Sequence, residues 1–177
     1  MIGKEDLAGE VVALEEMLAA REARAWRQQF FLQKYHAPLL SFTLNIPGPV
    51  KTNPVLRRLF AYGLNLAREN FQKQKINILA QEEKHTLTGD EALWAFHGDA
   101  SFVKGLTLSI EEQNPLGRLF DFDVLTAKGV KLSRPMPRRC LLCERQAQDC
   151  ARSRRHSVVE LTAGIEVLLQ KYAALIS

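Results

Sequence analysis

The segment Gly117–Leu125, GRLFDFDVL, alternates large apolar residues with aspartates at a period of two. Successive side chains of a strand point to opposite faces. The alternation therefore predicts a strand over 118–125, with Asp121 and Asp123 projecting together. Leu119, Phe120, Phe122, Val124 and Leu125 give that pair apolar surroundings, so a sheet has to carry it. Two carboxylates side by side in such a place repel each other and cost desolvation. A divalent cation removes both penalties, and hard carboxylate oxygens suit Mg²⁺ or Mn²⁺. An Asp-x-Asp alternation also suits a plain solvent-facing edge strand.

Around this strand the sequence predicts several helices. Residues 5–24 place Leu7, Val11, Leu14 and Leu18 at helical spacing, closed by the charged run Arg21-Glu22-Ala23-Arg24. Residues 39–46 read as a strand that stops at Pro47-Gly48-Pro49. Asn53-Pro54 is an N-cap followed by proline at the first helical position, and Leu56, Phe60, Leu64, Ala67 and Phe71 form one face of the helix it opens. Residues 76–79 and 93–97 are short strand candidates. Residues 100–112 read as a helix through Phe102, Val103, Leu106 and Ile110. Thr126–Gly129 joins the acid-bearing strand to a second one near 130–133, and 145–154 reads as a short helix. Ser157 and Glu160 form a capping box. The last helix carries Val158, Leu161, Ile165, Leu168, Tyr172 and Leu175 on one stripe.

Charge is concentrated rather than spread. Residues 131–155 hold eight basic residues against Glu144 and Asp149, a net of +6 in a chain whose total is +4. A basic focus of this kind points to a polyanionic ligand, although a solvated arginine-rich surface has the same composition. Carboxylates for a metal beside arginines for phosphate is what phosphoryl transfer requires. Lys51 follows the Pro-Gly-Pro turn and offers a further cation for a phosphate tail. Arg152, Arg154, Arg155, His156 and Ser157 lie at the start of the last helix, where backbone N–H groups favour anions. There is no glycine-rich phosphate loop of the Walker or dinucleotide type. No stretch is apolar enough for a membrane span, and the acid-bearing N-terminus does not read as a secretory signal. These features lead to a cytoplasmic protein with no membrane partner.

The three cysteines are odd in number, against a complete disulfide framework. Cys140, Cys143 and Cys150 with His156 have the makings of a tetrahedral structural Zn²⁺ site; reduced, partly buried thiols are the other reading. A redox role has no strand–helix context of the thioredoxin type to support it.

The stretches NIPGPVK, GRLFDFDV, LSR, PRRCLLC and CARSRRHS, in that order and together with the run at 21–24, resemble the citrate lyase holo-acyl-carrier-protein synthase family, the apo-citrate lyase phosphoribosyl-dephospho-CoA transferases. The likeness spans about residues 14–170. It implies transfer of 2′-(5″-triphosphoribosyl)-3′-dephospho-CoA to a serine of the citrate lyase acyl carrier protein subunit, forming a phosphodiester and releasing pyrophosphate. By similarity to the related malonate decarboxylase transferase, Asp121 and Asp123 would be the metal ligands. Arg118, Arg134, Arg138 and Arg139 are then candidates for the triphosphate. Arg152, Arg154 and Arg155 are candidates for the dephospho-CoA part or the carrier. A third metal-binding acid is expected, with Glu111 and Glu112 nearby in sequence.

The expected fold is α+β: a nucleotidyltransferase-like mixed sheet with three long helices packed around it. It forms a single transferase domain over 1–177, with a Cys/Arg-rich segment at 131–157. Two other functions fit parts of the sequence. One is a nucleotidyltransferase acting on another acceptor. The other is a zinc-containing nucleic-acid-binding module, against which no aromatic residue interleaves with the arginines, so no nucleic acid partner is expected.

Overall fold

The computed structural model describes residues 7–176. Leu14–Tyr35 is helix α1, Leu39–Leu44 strand β1, Pro54–Lys73 α2, Asn77–Thr86 β2, Gly89–His97 β3, Ala100–Gln113 α3, Phe120–Leu125 β4, Ala147–Arg152 α4 and Val158–Lys171 α5. A short 3₁₀ turn, Gly117–Leu119, leads into β4. The four strands lie in the order β2-β3-β1-β4.

Every pairing in the sheet is antiparallel, which corrects the mixed sheet expected from sequence. The topology explains why. Helices α2 and α3 each carry the chain between two strands that run the same way, β1 to β2 and β3 to β4. In both cases a strand of opposite direction fills the gap, so the parallel partners never touch.

One face of the sheet holds the main core. Leu40 and Phe42 of β1, Trp94 and Phe96 of β3, and Phe120, Phe122 and Val124 of β4 are buried there with the predicted stripe of α2. Phe42 stacks on Phe60 and Phe122, with ring centroids 5.0 and 4.2 Å apart, an offset geometry that aromatic pairs favour. Asn53 caps α2 by accepting from the N–H of Leu56 at 2.8 Å, as its sequence predicts. The final helix buries Ile165 and Leu169; Val158 and Leu175, expected on its stripe, are exposed.

The other face is only half covered. Helix α1 lays Phe31 and Leu32 on Leu39, Leu93, Ala95 and Leu125. Beyond them Ser41, Thr43, Asp121 and Asp123 share the remaining surface, since Thr43 pairs with Asp121 and Ser41 with Asp123. Thr43 pairs on its other side with Glu91.

Four elements differ from expectation. The first helix begins at Leu14 and runs on to Tyr35, while Val11 and Leu14 are 67% and 70% exposed. Residues 8–13 instead run beside the loop after β1, where the N–H of Val12 donates to the carbonyl of Pro49 at 3.0 Å; the predicted start at residue 5 lies outside the described residues. The helix continues past the charged run because Arg24 and Arg27 pair with Glu91, and Arg27 with Glu82, on the sheet. Strands β2 and β3 are longer than the predicted segments. β2 is an edge strand with a largely exposed, charged sequence, so its C-terminal half carries no apolar alternation. The hairpin after β4 shrinks to one bridge, Leu125 with Lys131, closed by a turn in which Gly129 takes φ +80°.

Candidate functional site

The aromatic residues of β4 anchor the strand in the core, and this turns Asp121 and Asp123 together onto the open face, 45% and 26% exposed. β4 is the outer strand, so beyond the Leu125–Lys131 bridge its far edge has no ladder partner among the described residues. Helix α3 supplies one from side chains. The N–H of Phe122 donates to Glu111 Oε1 at 2.8 Å, and Lys104 Nζ donates to the carbonyl of Phe122 at 3.0 Å. Lys104 and Glu111 stand two helical turns apart on one face of α3. Both are buried. They grip the one residue between the two aspartates.

Gly117 makes this approach possible. A Cβ there would lie 2.4 Å from the carbonyl oxygen of Glu111. Glu111 also organises the arginines. Arg134 Nη2 meets its Oε2 at 2.5 Å and Arg138 Nη2 its Oε1 at 2.8 Å. Arg138 then reaches Asp121 Oδ1 at 3.4 Å, and Lys131 Nζ donates to Asp123 Oδ2 at 2.6 Å. Glu111 is thus spent on backbone and arginines, while Glu112 is largely exposed beside Arg134.

Asp121 borders a polar cavity of about 210 Å³ lined by the cations Arg21, Arg24 and Lys51 and by the acids Asp90 and Glu91, of which Glu91 pairs with Arg24. Lys51 donates to the carbonyl of Ile46 at 2.6 Å. Burial, and then the charge of Arg21, hold its ammonium below the usual lysine pKa. Two cations facing each other across a small polar cavity are relieved by an anion. Arg21 and Arg24 escaped site assignment in the sequence, where they read as the charged end of a helix. The signal was present in their spacing, because residues three apart share a helix face.

The other predicted arginines divide. Arg118 stands beside Arg138 and makes no hydrogen bond or salt bridge among the described residues; burial, then Arg138 and Arg134, lower its pKa. Arg139 pairs with Glu144 in solvent. Arg154 lines a larger cavity with Arg118 and Arg138, whereas Arg152 and Arg155 are exposed outside both cavities. The start of α5 is already taken by its own acid: Ser157 N–H donates to Glu160 Oε2 at 2.7 Å.

Cys140, Cys143, Cys150 and His156 come together. One ligand atom from each lies within 4.8 Å of all the others, an arrangement that has room for a metal ion. Cys143 Sγ is 3.5 Å from Cys150 Sγ and 3.4 Å from His156 Nε2. The N–H of Leu142 points at Cys140 Sγ at 3.5 Å. Burial raises the Cys140 thiol pKa, but the N–H groups of Leu142 and Cys143 and the neighbouring thiols bring it below its usual value.

Among the described residues no helix is long and apolar enough to cross a membrane. Sequence comparison places these features in company. The profile of the family described as apo-citrate lyase phosphoribosyl-dephospho-CoA transferase matches residues 12–172. Proteins of that name from Shigella boydii serotype 18, Escherichia coli O157:H7 and Shigella sonnei are each 40% identical over 162 residues, covering 89% of this chain and 88% of the relative. The matched span runs from the first turns of α1 through the acid strand and the cysteine cluster to the end of α5. A match of this length and identity takes in every element that builds the site, and the chain belongs to the apo-citrate lyase phosphoribosyl-dephospho-CoA transferase family.

Proposed function

We propose that this chain performs the reaction for which its relatives are named. It would transfer the phosphoribosyl-dephospho-CoA group from its triphosphate to a serine of the acyl carrier subunit of apo-citrate lyase. The observation that carries this reading is the position of Asp121, with Arg138 on one side and the cavity of Arg21, Arg24 and Lys51 on the other. An acid pair flanked by cations on both sides suits a substrate that is itself a string of phosphates.

Asp121 and Asp123 would hold a divalent cation, Mg²⁺ or Mn²⁺, whose charge would screen the phosphates. Their shared orientation and partial exposure suit that role. Arg138, Lys51 and Arg21 would orient the triphosphate, which is the main catalytic contribution available when the protein forms no covalent intermediate. The serine oxygen attacks the α-phosphorus in line. The new P–O bond joins carrier and prosthetic group, the bond to the β-phosphate bridging oxygen breaks, and pyrophosphate leaves. The hydroxyl proton passes to a site carboxylate or to water.

We read the architecture as a nucleotidyltransferase-like single domain, with the acid pair on a strand of the central sheet. We also assign Zn²⁺ to the cysteine cluster. A tetrahedral shell with bonds of about 2.3 Å to sulfur and about 2.05 Å to nitrogen separates ligands by roughly 3.5–3.8 Å, close to the spacings around Cys143. The family match does not favour a free-standing nucleic-acid-binding module, and the Cys/Arg segment carries no aromatic residue for base stacking.

The test is the mass of the acyl carrier subunit before and after incubation with this protein, the triphosphate donor and Mg²⁺. The expected gain is the donor less pyrophosphate. Asp121→Asn and Asp123→Asn should abolish the gain without unfolding the protein. Full activity in both variants would sink the assignment.

A further inference from the structure

A cavity of about 540 Å³ lies between the Cys/Arg segment, the 3₁₀ turn before β4 and helix α5. That is the size of a small-molecule site. Its floor is apolar, made by Leu119, Leu141, Leu161 and Ile165, while Arg118, Arg138 and Arg154 enter its wall. Among the described residues, no carboxylate lines it, and only Arg138 of the three guanidinium groups has an acidic salt-bridge partner. Arg154 is fixed by a left-handed turn at the end of α4, with φ +46°, where the N–H of the next residue, Arg155, donates to the carbonyl of Cys150 at 3.0 Å.

This cavity adjoins the reacting end of the site through shared residues. Arg138 belongs to its wall and also reaches Asp121 at 3.4 Å. Asn45 lines both this cavity and the polar one beside Asp121. The site is therefore bipartite, with a small polar chamber of cations and acids beside a larger, mostly apolar chamber that Arg118, Arg138 and Arg154 enter. A ligand that fills both has a reactive polyphosphate at one end and a bulky body at the other. That body carries its own phosphate and a face without charge.

We propose that the larger cavity binds the dephospho-CoA portion of the donor, its base or pantetheine arm on the leucine floor and its phosphates on Arg118 and Arg154. This rests on the transfer reaction proposed above and assigns the part of the substrate that does not react. Binding energy taken from a non-reacting portion positions the reactive phosphate at Asp121. Cys140, Cys150 and His156 also line the cavity, so the cysteine cluster shapes its wall.

The probe is 3′-dephospho-CoA itself, which lacks the triphosphoribosyl group and cannot react. Calorimetric titration of the full chain should show saturable binding at one site. Leu161→Trp, which fills the cavity, and Arg118→Gln should each weaken it about tenfold or more. Arg154→Gln, a change at an exposed side chain that leaves the core untouched, should weaken it severalfold and guards against misfolding of the other two. No binding to the wild-type protein, or binding that all three cavity variants leave unchanged, overturns the proposal. Modification of the carrier is read separately. A carrier that is modified by a protein that does not bind dephospho-CoA refutes this cavity and leaves the reaction standing. Binding that follows the expected variants without carrier modification supports the cavity and refutes the reaction.

Discussion

Glu111 accepts the backbone N–H of Phe122 at 2.8 Å, and Phe122 is the residue between Asp121 and Asp123. One buried carboxylate therefore fixes the strand that carries the acid pair and, through salt bridges at 2.5 and 2.8 Å, the arginines Arg134 and Arg138. Two kinds of role are open to a buried acid next to a candidate metal site: ligand, or holder of the ligands. The geometry makes Glu111 the holder, because its oxygens already face a backbone N–H and two guanidinium groups.

Glu111→Gln tests that role. Removing one charge from a buried network strands its partners and costs about 3 kcal/mol or more, which urea unfolding measures directly. Transfer activity should fall because Arg138 loses its anchor. The Mg²⁺ concentration for half-maximal activity should stay within about twofold of wild type. A large loss of Mg²⁺ affinity with unchanged stability would make Glu111 a metal ligand instead.

Gly117 gives a second, purely steric expectation. A methyl group there would sit 2.4 Å from the Glu111 carbonyl oxygen and 2.7 Å from that of Ile110. Both contacts are backbone, so neither neighbour can swing away as a flexible side chain would. Gly117→Ala should destabilise the fold by about 2 kcal/mol or more, as overpacking does at rigid sites. It should also lower activity, since the displaced turn carries Arg118. Thermal unfolding comparable to wild type would show that the end of α3 yields more readily than its contacts indicate.

The parts of this site differ in how far the sequence reveals them. The acid pair is legible because a strand's period of two is written directly in FDFDV. The cysteine cluster is legible because metal-ligand residue types are rare and closely spaced. Helix α2 is legible from its cap and its apolar stripe. The clamp on Phe122 is not. Lys104 and Glu111 are charged residues in a helix, and their ordinary place is the solvated face. Only the pairing order of the sheet, which leaves β4 with an open edge beside α3, puts them inside. Arg21 and Arg24 were hidden for a related reason. Their cavity is built by strands from the middle of the chain, and no local pattern announces which face of α1 will meet them. The antiparallel sheet was missed because each helical crossover skips a strand, a long-range choice that local periodicity does not encode.

Lys104 leads to an expectation about pH. Burial lowers its pKa from the usual 10.5; Glu111, Asp123 and Asp121 oppose that shift, and Arg134 adds to it. A lysine whose folded pKa lies below its unfolded value releases its proton first from the folded chain. The unfolded chain then binds more protons in the window between the two values, so stability rises with pH there. Below that window the folded protein carries the cost of a buried charge. The difference in unfolding free energy between wild type and Lys104→Met should therefore move in favour of wild type between neutral pH and about pH 10, the upper end of the window set by the ordinary lysine value. Comparing the two proteins cancels titrations they share. A difference independent of pH would mean that Lys104 is as well solvated when folded as when unfolded.

The Cys/Arg segment sets the last expectation. Across residues 131–157 the only buried residue is Cys150. Regular structure there is limited to the six-residue α4, the bridge of Lys131 to Leu125 and a bridge between Arg139 and Gln146. So little apolar burial does not hold a segment of that length in one conformation. A metal ion at Cys140, Cys143, Cys150 and His156 supplies the missing constraint, because binding energy at a site that exists only in the folded chain is folding energy. Purified protein should contain about one zinc per chain by mass spectrometry. A zinc-selective chelator, added with Mg²⁺ in excess, should expose Arg145, Arg152, Arg154 and Arg155 to trypsin. The sheet should survive, since its aromatic core lies elsewhere, and far-ultraviolet circular dichroism should change little. Cys143→Ser should reproduce the trypsin sensitivity without chelator. Protein that carries no zinc and resists trypsin equally with and without chelator would show that the thiols hold the segment by packing alone.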